Sequence, residues 1–133
     1  MSTETYVLNI EVGQIFSLCQ ITELVYPNPL VIIVENIDGF TVNVAQISEC
    51  LWLIGPGDVR IPKFGFVETW NSYFLSVNDL EICYGQIDGK LLWEILEKID
   101  REEFIEINSD TYLYNFRLFE MEVGDCLSMM NNL

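Results

Sequence analysis

Apolar and polar positions along this chain fall into short β-rich runs separated by turn residues. The runs at 30–37 and 40–47 are joined by Asp38-Gly39, the residue pair that a two-residue type I′ hairpin turn requires. They predict a hairpin in which Ile37 faces Phe40, Ile33 faces Val44, Pro29 faces Ser48 and Asn28 faces Glu49. Further strands are predicted at 5–12, 14–25, 58–62, 71–77 and 79–84, with Pro27-Asn28-Pro29 interrupting the pairing. Gly55-Pro56-Gly57 reads as a turn, and its Gly-x-Gly lacks the surroundings of a phosphate-binding fingerprint. One helix is predicted from Asp88-Gly89 to about Glu103, with Asp88 as N-cap and Leu92, Ile95, Leu96 and Ile99 on one stripe. At 111–122, Tyr112, Tyr114, Phe116 and Leu118 alternate with Leu113, Asn115, Arg117 and Phe119, which predicts a strand with apolar groups on both faces. Such a strand needs cover from a partner or a second copy of the chain, so 111–122 is also the expected homo-oligomer contact. Together these elements predict one mainly β domain over 1–133 with one or two helices. Its curved barrel core spans about 5–103, and an added strand segment spans 104–133.

Composition narrows the chemistry. Half of the 133 residues are hydrophobic and 13% are aromatic, enough to close a core and too much for a disordered acidic tail. The absence of histidine excludes Ser-His and Cys-His nucleophile pairs and every histidine-liganded metal site. The longest apolar runs, at 30–34 and 50–54, are far short of the roughly 20 residues of a membrane span. The first residues, Met-Ser-Thr-Glu-Thr, carry no signal-peptide pattern, so a cytoplasmic location is expected. Cys19, Cys50, Cys83 and Cys126 form no Cys-x-x-Cys pair, and buried free thiols are expected in place of disulfides or a zinc site. No cofactor or metal is expected.

Charge bears on partners. The formal net charge is −15, and residues 1–59 hold Glu4, Glu11, Glu23, Glu35, Asp38, Glu49 and Asp58 with no Lys or Arg. Without a basic cluster to neutralise phosphates, nucleic acid is a disfavoured partner, as is an anionic membrane. A basic protein is the favoured one, with Glu35, Asp38 and Glu49 as expected contact residues.

The order of segments resembles the MazF/PemK family of ribonuclease toxins. Gly13-Gln14-Ile15-Phe16 is similar to that family's opening Gly-Asp-Ile strand, and Asn28-Pro29-Leu30-Val31-Ile32-Ile33 to its Arg-Pro-x-Val-Val-Leu strand. Val44-Ala45-Gln46-Ile47-Ser48 resembles its Val-Ala-Pro-Ile-Thr segment, while 73–80 and 87–99 match a later strand, without its Asp-Gln pair, and the closing helix. The resemblance covers about 10–100 and implies a small SH3-like β-barrel. It also implies a catalytic pair at the positions of Asn28 and Ser48, which the hairpin register makes neighbours. Ser48 keeps a hydroxyl. Asn28 lacks the fixed positive charge that stabilises a phosphoryl transition state, and Arg60 is the nearest base in sequence.

These observations lead to two expectations from different classes. The first is a non-catalytic acidic interaction domain, an immunity or inhibitor protein for a basic, nuclease-like partner. The second is a MazF/PemK-like endoribonuclease toxin with a degenerate site built on Ser48, Arg60 and Asn28. A structural subunit of an oligomer is a third.

Overall fold

The computed structural model describes residues 9–19, 28–101 and 111–128. Six strands form one antiparallel sheet: β1 (Gln14–Leu18), β2 (Leu30–Asn36), β3 (Thr41–Ser48), β4 (Val59–Ile61), β5 (Gly65–Ser76) and β6 (Leu80–Gln86). The strand order is β4-β5-β3-β2-β1-β6. Two helices follow, α1 (Gly89–Arg101) and α2 (Tyr112–Leu127). This is the mainly β architecture with two helices that the runs predict, a small curved barrel-like sheet. The first four residues of the strand predicted at 5–12 lie outside the described residues, and its last four are not in a strand.

The central strands read as continuous apolar runs because they are covered on both faces. Val31, Ile33, Val42, Val44, Tyr73 and Leu75 pack with Val123 and Leu127 of α2. On the opposite face Ile32, Ala45, Ile47, Val59, Ile61 and Val67 pack with Ile95 of α1. Asp88 caps α1 by accepting a bond from the Leu91 amide at 2.9 Å.

The hairpin keeps its predicted register from Leu30↔Ile47 to Ile33↔Val44, but the tip is built differently. Gly39 has φ +85° whereas Asp38 does not have positive φ, so the turn is not type I′. The Asp38 carboxylate instead accepts from the amides of Phe40 and Thr41, and Ile37 bonds Thr41 across a longer loop. That loop shifts the pairing to Glu35↔Asn43, and a bulge between Ile33 and Glu35 shifts it back. The two displacements cancel.

The largest correction concerns the tail. Residues 112–127 form a helix, so the two-faced strand from which a subunit contact was reasoned is not formed. Thr111 is the N-cap, its hydroxyl accepting from the Tyr114 amide at 3.2 Å. The face turned to the sheet is Leu113, Phe116, Arg117, Glu120, Val123, Gly124 and Leu127, a helical spacing in which Arg117 and Glu120 interrupt the apolar stripe. The thiols are also not buried: Cys19, Cys83 and Cys126 are exposed and Cys50 is half-buried, all of them free. No described helix is long and apolar enough to cross a membrane.

Gly124 sets how closely α2 approaches β5. A Cβ there would lie 2.8 Å from Asn71 Oδ1 and 2.9 Å from the Tyr73 ring. Gly124→Ala is therefore expected to lower stability by about 1–3 kcal/mol through overpacking. Gly89→Ala, where a Cβ meets nothing within 4 Å, is expected to be neutral or to stabilise by up to about 1 kcal/mol. Urea unfolding of both variants checks the contrast.

Candidate functional site

Ser48 ends β3. Its Oγ accepts from the Cys50 amide at 3.1 Å, a local turn that stops the strand and points the chain into the 3₁₀ turn Leu51–Leu53. The backbone of β5 approaches Ser48 so closely that a Cβ at Gly65 would collide with the Ser48 carbonyl, and Gly65 has φ +122°. Only glycine serves at 65. Phe66 pairs with Ser48 on one side and with Arg60 on the other, so Ser48, Phe66 and Arg60 form one row across β3, β5 and β4.

At the end of that row is a cavity of about 360 Å³ whose walls include Glu49, Leu51, Arg60, Lys63, Phe64 and Gly65. Two of the six Lys and Arg residues of the chain meet there beside one carboxylate. Arg60 is exposed between the buried Val59 and Ile61 on edge strand β4. Lys63 sits in the tight β4–β5 connection with φ +78°, the sole non-glycine residue of positive φ among those described. That conformation costs roughly 1–2 kcal/mol for a side chain with a Cβ. Sequence reasoning missed Lys63, because only the turn geometry carries it to the cavity.

The predicted residues are thus partly assembled. Arg60 and Glu49 line the cavity, and Ser48, only 6% exposed, holds the turn that carries Glu49. Asn28 does not join them. Its Nδ2 donates to the Cys19 carbonyl at 2.7 Å, and the β2–β3 ladder ends at Leu30↔Ile47. Glu35 and Asp38 lie on the exposed hairpin tip, where amide bonds from Phe40 and Thr41 hold the Asp38 carboxyl below its ordinary range.

Behind Ser48, on the sheet face covered by α2, lies a polar seam that sequence reasoning also missed. Arg117 donates to the Pro56 carbonyl at 2.7 Å, pairs with Asp58 at 3.4 Å and stacks 4.5 Å from the Trp70 ring centroid. Asp58 also accepts from Trp70 Nε1 at 2.7 Å and from the Gly55 amide at 2.7 Å. Further along, Tyr73 donates to Gln46, Gln46 donates to Glu120, and Asn71 donates to Glu68. Burial, reinforced by the adjacent Glu120 carboxylate, pushes Glu68 up to about 10. Glu68 Oε2 faces no donor, so a neutral Glu68 that donates its own proton fits the site and an ionised one does not. Among the described residues no group of His, Cys, Asp and Glu is arranged to hold a metal.

The folded state therefore keeps a proton that the unfolded chain releases near its ordinary value of 4.5. Glu68 makes stability fall as pH rises through the window from about 4.5 to about 10, by at most about 1.4 kcal/mol per pH unit. Glu68→Gln supplies a permanent neutral donor, and its unfolding midpoint is expected to vary less with pH and to exceed that of the parent on the alkaline side. An unchanged pH slope would mean that Glu68 is ionised in the fold.

No family model and no curated protein matches this sequence. Solved structures do. A mycobacterial endoribonuclease in complex with its cognate antitoxin superposes with a TM-score of 0.55 at 18% identity, covering 71% of this chain and 93% of that one. A second mycobacterial endoribonuclease superposes with a TM-score of 0.59 at 15% identity, covering 72% and 92%. The resemblance to ribonuclease toxins of the MazF/PemK type is therefore present in the fold itself. These neighbours overturn the expectation of a non-catalytic immunity or inhibitor protein, since they favour the toxin-like reading set beside it.

Proposed function

We propose that this chain is a toxin-type endoribonuclease acting on single-stranded RNA from the cavity at the end of β3. The observation that supports this most is the convergence of Arg60, Lys63 and Glu49 on one cavity in a barrel of this fold. RNA carries its own nucleophile. The ribose 2′-hydroxyl attacks the adjacent phosphorus, the P–O5′ bond breaks, and the products are a 2′,3′-cyclic phosphate and a 5′-hydroxyl. The enzyme must then accept the 2′-proton, neutralise charge on the phosphoryl oxygens and see a proton delivered to the leaving oxygen.

Glu49 is the base in this proposal. Arg60 binds the phosphate through a planar fork and Lys63 adds a second positive charge, together supplying what Asn28 lacks. Ser48 is a positioning residue: its hydroxyl fixes the backbone of the turn on which Glu49 stands. Water completes the proton transfer to the 5′-oxygen.

A protein partner belongs to the same proposal. One structural neighbour was solved with its antitoxin, and the acid-rich first half of this chain would attract a basic protein surface more strongly than an acidic one.

Purified protein is expected to cleave single-stranded RNA to fragments ending in a 2′,3′-cyclic phosphate. Arg60→Ala is expected to slow cleavage by about a hundredfold or more, and Glu49→Gln by a comparable factor. Ser48→Ala should cost less. Gel assays with end-group analysis by mass spectrometry read all three. Absence of cleavage by the parent, or cleavage indifferent to Arg60→Ala, would overturn the proposal.

A further inference from the structure

A further concavity lies between the Leu51–Leu53 turn and α2. It measures about 730 Å³, within the range of small-ligand clefts, and its walls include Trp52, Leu53, Tyr112, Asn115, Phe116 and Phe119. Trp52 is 81% exposed and Tyr112 is 89% exposed, so two aromatic rings stand in solvent with almost no cover. Exposure on this scale contributes little to the fold, and Asn115 brings an amide with both donors and an acceptor to the same wall.

One short turn of chain borders both this cleft and the cavity of Arg60 and Lys63. Leu51 lines that cavity while Trp52 and Leu53, the next residues of the same turn, line the aromatic cleft. A 3₁₀ turn rises only about 2 Å per residue, so the two sites are a short step apart. Phe66 joins them from beneath: it lies in register between Ser48 and Arg60, and its ring meets that of Phe116 edge-on at 6.5 Å.

We infer that the aromatic cleft is a base-binding subsite, in which an unpaired nucleobase stacks on Trp52 and Tyr112 while the neighbouring phosphate lies between Arg60 and Lys63. The inference rests on the RNA-cleaving reading and adds to it the source of affinity. A chain of net charge −15 gains little from general attraction to a phosphate backbone. Bases are neutral, and stacking on aromatic rings tolerates the surrounding acid. Affinity for RNA must then come from the cleft, and Asn115 offers hydrogen bonds through which one base is preferred over another.

The test is binding without cleavage, using short 2′-O-methylated homopolymers of A, C, G and U, whose blocked 2′-oxygen prevents the reaction. Trp52→Ala and Tyr112→Ala, both highly exposed, are expected to weaken binding by about 5- to 100-fold each. Asn115→Ala is expected to change the order of preference among the four polymers. An oligomer made abasic throughout should bind weakly to the parent and equally weakly to Trp52→Ala. If Arg60→Ala impairs cleavage and binding but Trp52→Ala changes neither, the subsite is overturned while the cleavage reading stands. If Trp52→Ala weakens binding but the parent cleaves no RNA, the subsite stands and the cleavage reading falls. If Trp52→Ala leaves RNA affinity unchanged and dissociates an oligomer in sedimentation, the cleft belongs to a second copy of the chain and the inference is overturned.

Discussion

The buried guanidinium of Arg117 holds the described structure together at its most demanding point. It joins α2 to the loop before β4 through Pro56, Asp58 and the face of Trp70. The Asp58 side chain is fully buried and that of Arg117 nearly so. Removing either partner would strand a buried charge, at a cost of about 3–5 kcal/mol. Gly55 belongs to the same clamp, since a Cβ there would meet Leu113 of α2 at 2.7 Å. Once α2 is fixed, it forms one wall of the aromatic cleft, and the loop it grips leads into β4 and Arg60.

The two halves of the polar seam differ in kind. The Arg117–Asp58 half balances charge, although burial pushes the Asp58 carboxyl up and the Arg117 guanidinium down from their ordinary values. The Glu68–Glu120 half has two acids and no base, and it stays buried by keeping a proton on Glu68. Asn71 donates to Glu68 Oε1 and Gln46 to Glu120 Oε1, while Tyr73 donates to the Gln46 amide oxygen. Tyr73 is itself held neutral by burial and by these acids. The seam gives α2 a specific seat against β3 and β5, where an apolar face would allow the helix to slide.

Much of this fold was legible in the residues. Central strands covered on both faces give apolar runs, which located β2 and β3, and the Asp88 cap with its apolar stripe located α1; of β5 only the second half was anticipated, as a strand at 71–77. The tail was misread because Arg117 and Glu120 occupy the buried stripe of α2, leaving Tyr112, Tyr114, Phe116 and Leu118 to imitate strand alternation. The spacing of Leu113, Phe116, Val123, Gly124 and Leu127 carried the helical signal, and Thr111 its N-cap. At the site, the predicted register holds as far as Leu30↔Ile47 and stops short of the pairs expected for Ser48 and Glu49. Lys63 reaches the cavity through a left-handed turn, and Glu68 faces Gln46 only because residues 69–71 bulge from β5. Neither follows from local pattern, since each depends on how distant segments close.

The central claim is that RNA contacts the β3–β4 end of this barrel and the cleft beside it. Mapping amide chemical shifts by NMR during titration with a non-cleavable single-stranded RNA tests it most directly. The account predicts the largest changes at Glu49, Leu51, Trp52, Arg60, Lys63 and Gly65, extending to Asn115 and Phe116 on α2. Changes confined to the hairpin tip around Glu35 and Asp38, or no saturable change at all, would contradict it.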